Sequence, residues 1–341
     1  MDFLAKVIGD VNNVLWSYII IAMLIGLGLY FSFRVKFVQV RYFGEMIRLL
    51  GDGASSKTRK AQKEKSGVSS FQAFCMSTAS RVGTGNLAGV AIAISAGGPG
   101  AVFWMWIIAI IGAASAFIES TLAQIYKKKG VDGSYGGPAY YIEAALKSRP
   151  LAIVFSVLLI VTYGVGFNML ASYNLQSTFS GYSFYNKSTS PFIIGLILAS
   201  IVAFCLFGGG KRIINVTSLL VPIMGCAYII VALIIVVINF KALPDIFKTI
   251  FTEAFDFNAI FGGFSGSCVM FGIKRGLFSN EAGVGSAPNA SASADVKHPA
   301  KQGLVQVLSV FIDTLLVCSA SAFMCMCSGI EPSTELSGAP Y

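Results

Sequence analysis

Apolar residues fall along this chain in long runs. Roughly 15–33, 68–97, 99–126, 151–180, 191–208, 213–239, 258–273 and 303–328 are each apolar over about the length that crosses a bilayer. Eight membrane-spanning helices are predicted, with short amphipathic helices at 39–50 and 241–255 lying at the interfaces. Two of the runs are interrupted. "SRVGTGNLAGV", residues 80–90, places an arginine, three glycines and an asparagine inside the second run. "NAIFGGFSGSCVMFGIKRG", residues 258–276, carries Gly262, Gly263, Ser265, Gly266 and Ser267 in a short span. The second run therefore reads as two half-helices, "SSFQAFCMSTAS" and "NLAGVAIAISAG", joined by unwound backbone at "RVGTG".

Composition agrees with a polytopic, all-α membrane protein: 55% of the 341 residues are apolar and 12% are charged. Charge then orients the spans, because Lys and Arg collect in cytoplasmic loops. With the N-terminus outside, the inner segments 34–67, 127–150, 209–212 and 274–302 hold 20 of the 25 basic residues. The outer segments hold Lys6, Lys187, Lys241 and Lys248, and Arg81 stays within a span. The net charge of +9 is mostly this topology signal, and it suits an anionic inner leaflet. It gives no soluble basic face for nucleic acid. The start "MDFLAK" lacks a basic n-region, so no cleaved signal peptide is expected. The seven cysteines form no CxxC pair and His298 is the one histidine, which leaves little material for a disulfide framework, a zinc site or a His-based enzyme. No cofactor is expected.

Open backbone in lipid leaves N–H and C=O groups unpaired at several kcal/mol each, so it persists where protein or a water-filled cavity supplies partners. Freed carbonyls near Val82 can coordinate a small cation. The positive N-terminal end of the second half-helix, at Gly83, Thr84 and Gly85, can receive a carboxylate. One site for both charges is what a symporter of a zwitterion with a cation requires. "GTGNLAG" is close to a dinucleotide fingerprint, yet it follows no strand and its last spacing is one residue too long. Small residues there could also serve tight helix packing. The second break, with Gly263 and Ser265, favours a transporter built from inverted repeats, because paired interrupted spans mark such sites.

Four stretches carry a family resemblance: "VGTGNLAGVA" at 82–91, "GGPGAVFWMWIIAIIG" at 97–112, "GSYGGPAYYIE" at 133–143 and "RGLFSNEAGVGSAP" at 275–288. They resemble the signatures of the alanine or glycine:cation symporter family, the sodium:alanine symporters. The resemblance implies a leucine-transporter-like fold, a five-plus-five inverted repeat with an extra N-terminal helix. In a single membrane domain, 15–33 would be the extra span, 68–239 the first repeat and 258–328 the beginning of the second. Family members are similar in carrying about eleven spans, so about three further spans are expected beyond these eight. The implied activity is import of a small neutral amino acid, alanine or glycine, with sodium or protons as the coupling ion, in a plasma membrane of the bacterial inner-membrane type. A cation channel or another ion-coupled solute transporter is the alternative.

Charges inside spans are costly and are functional candidates by default. Asp313 lies about ten residues inside the last span. The resemblance implies that its helix lends a polar ligand to a sodium ion beside the substrate and that Asn86 does likewise, which makes Asp313, Asn86, Thr314 and the Val82 carbonyl the candidate cation site. Asp313 could instead pair with Arg81. Glu119 reads as an interhelical pair or a gate, and Glu281 as part of a folded turn closing the inner path or as a solvated loop residue. Trp104 and Trp106 read as anchors at the outer interface. Asn168, in "YGVGFNMLASYNLQS", is a candidate for the substrate cavity. Many family members resemble one another in a glutamine where Ala171 stands here, which bears on which amino acid is taken.

Overall fold

The computed structural model describes residues 2–54, 68–130, 133–256 and 267–329. α1 (Asp2–Val14) passes through a wide π-turn, Leu15–Ile19, into α2 (Ile20–Arg34). Together they give an apolar rod over Lys6–Arg34. The short α3 (Val38–Arg41) and α4 (Phe43–Ala54) follow. α5 (Ser70–Arg81) opens on a capping box in which Ser69 Oγ accepts from the Gln72 N–H at 3.1 Å and Gln72 Oε1 accepts from the Ser69 N–H at 2.9 Å. After the break come a π-turn, Gly85–Gly89, and α6 (Val90–Gly97). α7 spans Ala101–Ile125.

A hairpin of β1 (Lys128–Gly130) and β2 (Gly133–Tyr135) leads to α8 (Pro138–Leu146). α9 (Arg149–Val161), a π-turn at Thr162–Phe167 and α10 (Asn168–Ser177) form one rod. α11 (Ser190–Phe207), α12 (Gly209–Ile238), the amphipathic α13 (Leu243–Ala254), α14 (Cys268–Asn280) and α15 (Ala287–Ser293) follow. The last described rod is α16 (Pro299–Val310), a π-turn at Phe311–Cys318 and α17 (Ser319–Cys327).

Among the described residues six helical rods are long and apolar enough to cross a membrane: Lys6–Arg34, Ala101–Ile125, Arg149–Ser177, Ser190–Phe207, Gly209–Ile238 and Pro299–Cys327. Of the other two predicted spans, one is not a continuous helix and one is only partly described. Residues 68–97 divide into α5 and the short apolar helix Gly85–Gly97, as the glycines of the break dictate. The run 258–273 falls partly on residues 257–266, outside the described residues, and its helix α14 continues to Asn280. Lys274 and Arg275, expected in an inner loop, therefore sit on that helix, and Lys274 Nζ donates to Ser17 Oγ at 2.9 Å.

The rods divide into inner and outer ones. In their most apolar windows Ala101–Ile125 is 56% buried and Pro299–Cys327 72%, against 6% for Arg149–Ser177 and none for Ser190–Phe207. Composition explains the difference. The buried face of α7 includes, beside Met105, Ile108 and Glu119, a stretch of small residues, Ala109, Gly112, Ala113, Ala116, Ser120 and Ala123, that lets neighbouring backbones approach. A methyl group on Gly272 of α14 would collide with the Ala101 carbonyl and come 2.7 Å from Trp104 Cβ, so α14 crosses α7 in near contact. The outer helices instead present Leu, Ile, Val and Phe, which suit lipid. Trp104 and Trp106, read as interface anchors, are half-buried, and their indole N–H groups bond inside the protein, to the Ala254 carbonyl at 3.1 Å and Ser319 Oγ at 2.7 Å. They tie α7 to α13 and α17. Just beyond α7, Lys127 Nζ donates to the Ala294 carbonyl at 2.7 Å, and burial holds its ammonium below the ordinary lysine value.

Candidate cation and substrate site

α5 ends because Val82 leaves helical conformation, at φ −74° and ψ 105°. The Gly83 N–H, freed from the helix ladder, donates to Asn86 Oδ1 at 2.8 Å, and that bond fixes which way the amide faces. Asn86 Nδ2 then meets four acceptors: Asp313 Oδ1 at 2.8 Å, the Asp313 carbonyl at 3.1 Å, Ser279 Oγ at 3.0 Å and Cys318 Sγ at 3.2 Å. Two hydrogens cannot serve four acceptors. Asp313 Oδ2 accepts from Ser279 Oγ and Thr314 Oγ1, each at 2.9 Å. Asp313 and Thr314 are fully buried and Asn86 is 1% exposed.

The π-turn at Phe311–Cys318 matters here. It widens the ladder where Asp313 sits, and the Asp313 carbonyl turns to the Asn86 side chain. Gly85 lets the break lie against α14: a Cβ there would come 2.9 Å from Ser279 Cα. The break, α14 and the α16–α17 rod thus converge on one carboxylate. Among the described residues the one ion pair is Arg48 with Glu45, on the surface, so Asp313 has no basic partner within 4 Å. A buried carboxylate without a countercharge is unfavourable, and oxygen-rich clusters of this kind suit a small hard cation.

Two cavities flank the break. One, of about 290 Å³, is lined by Arg81, Gly83, Thr84, Gly85, Asn168 and Glu281, with Tyr163 and Ala171 on its far wall. The other, of about 380 Å³, is almost wholly apolar and touches Val82, Asn86, Tyr228 and Val317. Val82, Gly83, Thr84, Gly85 and Asn168 therefore line one polar cavity, while Asn86, Asp313 and Thr314 are joined by hydrogen bonds, and no bond brings Val82 to Asp313. Asn168 Nδ2 is engaged by the carbonyls of Tyr163 and Gly164 in its own rod, at 3.2 and 3.1 Å. Gly263 and Ser265 lie outside the described residues.

The pairing of Asp313 with Arg81 is corrected: Arg81 Nη1 donates to Gln306 Oε1 at 3.1 Å. Glu119 has no basic partner within 4 Å either, and accepts from the Gly283 N–H at 3.4 Å. Glu281 sits in a buried turn, where its Oε2 accepts from Ser80 Oγ at 2.9 Å and Ser286 Oγ at 2.5 Å. Sequence reasoning missed Ser279 and Cys318 in the Asp313 cluster. Serine and cysteine are ordinary packing residues in membrane helices, and Ser279 follows two basic residues that read as a loop.

The model of the sodium:alanine symporter family matches residues 1–341. The protein named "Probable sodium/glutamine symporter GlnT", from Bacillus subtilis, is 46% identical over 337 residues, which cover 99% of this chain and 68% of that protein. The "Sodium/alanine symporter AgcS" of Methanococcus maripaludis is 36% identical over 348 residues, covering 99% of this chain and 74% of its own length. A "Sodium/proton-dependent alanine carrier protein" from Bacillus sp. PS3 is 41% identical over 290 residues, 83% of this chain and 61% of the carrier. With apolar rods of membrane-crossing length around a buried acidic cluster, and with these matches, the chain belongs to the sodium:alanine symporter family, which comprises ion-coupled multi-pass membrane transporters and not enzymes.

Proposed function

We propose that the protein imports a small neutral amino acid, alanine or glycine, by symport with sodium. The observation that carries this reading is the surplus of acceptors around Asp313, buried and without a basic partner, beside a polar cavity at a broken helix. Sodium would be held by Asp313, Thr314, Asn86 and the Val82 carbonyl. The substrate carboxylate would lie at the N-terminal end of the helix that follows Gly83, Thr84 and Gly85, with Asn168 opposite and Gly263 and Ser265 from the second break. Each charge would offset the desolvation of the other. The leucine-transporter-like repeat and the orientation with the N-terminus outside belong to the same reading, supported by the two interrupted spans and by the basic loops.

Ala171 favours weighing a larger substrate. It leaves space in the polar cavity, and a relative carries a glutamine name. Uptake of labelled alanine, glycine, serine and glutamine by the protein in proteoliposomes tests both readings. Sodium-dependent uptake of alanine or glycine in preference to glutamine is expected. Equal alanine affinity in sodium and in choline, at constant pH, would overturn sodium coupling.

A further inference from the structure

We propose that Glu119 carries one exchangeable proton, at a site separate from the Asp313 cluster; the inference deepens the symport reading above by naming a residue for a proton. Three charged side chains lie buried together near the break: Glu119 on α7 at 7% exposure, Glu281 at the end of α14 at 2%, and Arg81 at the end of α5 at 2%. Arg81 and Glu281 are the charges that act on Glu119. Two carboxylates and one guanidinium sum to a net charge of −1, and one proton brings the cluster to neutrality. Among the described residues no carboxylate closes an ion pair with Arg81, and its buried Nε and Nη2 have no hydrogen-bond partner there. The arrangement therefore leaves an uncompensated charge in a place where one is costly.

Hydrogen bonding assigns the proton between the two acids. Glu281 already accepts from two hydroxyls, of Ser80 and Ser286. Glu119 has no hydroxyl donor and meets backbone N–H groups alone, of Gly283 at 3.4 Å and of Gly285. The other titratable group facing it is Tyr141 on α8, whose hydroxyl is held above the ordinary phenol range by burial and by the Glu119 charge, and so stays protonated. α16, packed along α7, brings Gln302 and Gln306, and α14 ends on Asn280, none of them titratable. A metal cation suits the place poorly. The groups directed at these carboxylates are N–H and O–H donors, and among the described residues no group of three or more His, Cys, Asp or Glu side chains could hold a metal. The step is simple: the Glu119 carboxylate takes a proton from water reaching the cluster through the polar cavity that Arg81 and Glu281 line, becomes a neutral acid, and returns the proton when the cluster rearranges.

Protonation favours the buried arrangement, so wild-type uptake at saturating sodium should fall at least about threefold as pH rises through the Glu119 titration. Glu119→Gln mimics the protonated form and should flatten that response to below about twofold while uptake stays sodium-dependent. Infrared difference spectra of the purified protein in lipid give a readout independent of transport. The C=O stretch of a protonated carboxyl should be present near neutral pH, vanish in Glu119→Gln, and return with a shifted midpoint in Glu119→Asp. A wild-type pH profile retained by Glu119→Gln would overturn the proposal. So would absence of the band, or a band that appears only when choline replaces sodium, which would assign the place to a second sodium ion. Failure of sodium coupling with the band intact would instead overturn the functional reading and leave the proton site standing.

Discussion

Asp313 and Arg81 are both buried ionisable residues of this chain, yet their surroundings separate their roles. Asp313 is wrapped by Asn86, Ser279 and Thr314, while Arg81 turns to Gln306. Asp313→Asn keeps an oxygen and the shape and removes the charge. Sodium affinity of uptake should fall by about tenfold or more, at least about 1.4 kcal/mol, with protein abundance little changed. Adding Arg81→Gln should not restore it. Rescue of sodium affinity by the double variant, measured as the sodium concentration for half-maximal uptake, would show that the two charges act as a pair. Asp313 was legible as a candidate because a charge in an apolar run stands out from its neighbours, and Asn86 entered as a candidate through the family resemblance; the structure brings the two side chains within hydrogen-bond distance. Ser279 and Cys318 were not legible, since nothing local distinguishes a serine or cysteine that meets a carboxylate from one that packs.

At the scale of elements, contact between backbones governs what the inner helices tolerate. Gly272→Leu on α14 would drive a side chain into the Ala101 carbonyl and Trp104, and should destabilise the protein by about 1–3 kcal/mol or more. A fall in thermal unfolding temperature without sodium-specific effects would be its signature. The same change at Gly195 on α11, where an added Cβ meets nothing within 4 Å, should leave the melting temperature unchanged. Helix existence was well marked by the apolar runs and the break by its glycines. Boundaries were less so: Lys274 and Arg275 suggested that α14 ends at 273, but a lysine that finds Ser17 can remain on a helix. The β1–β2 hairpin also escaped notice, because three-residue strands carry too little alternation to read.

For the whole molecule, the division into inner helices rich in small residues and an aliphatic outer layer follows from what each helix meets, and the distribution of basic residues makes the proposed orientation testable. In a cysteine-free background, Lys187→Cys should react with a membrane-impermeant maleimide in intact cells, and Lys211→Cys only after permeabilisation. The reverse pattern would invert the topology and move the positively charged segments outside. The wide turn at Phe311–Cys318 bears on how this chain can change in length. A π-turn is an α-helix holding one residue more than its regular ladder needs, and each residue turns a helix by about 100°. Deleting one residue there would restore a regular helix and rotate α16 against α17, parting Gln306 and Ser309 on one side from the Ser319 and Ser321 that bond Trp106 and Tyr228 on the other. A single-codon deletion that a loop would absorb is, in this helix, a change of facing for half of it. The length of that segment is therefore as constrained as the identity of Asp313, and a chain of this kind is free to drift in the composition of its outer helices but not in the residue count of this one.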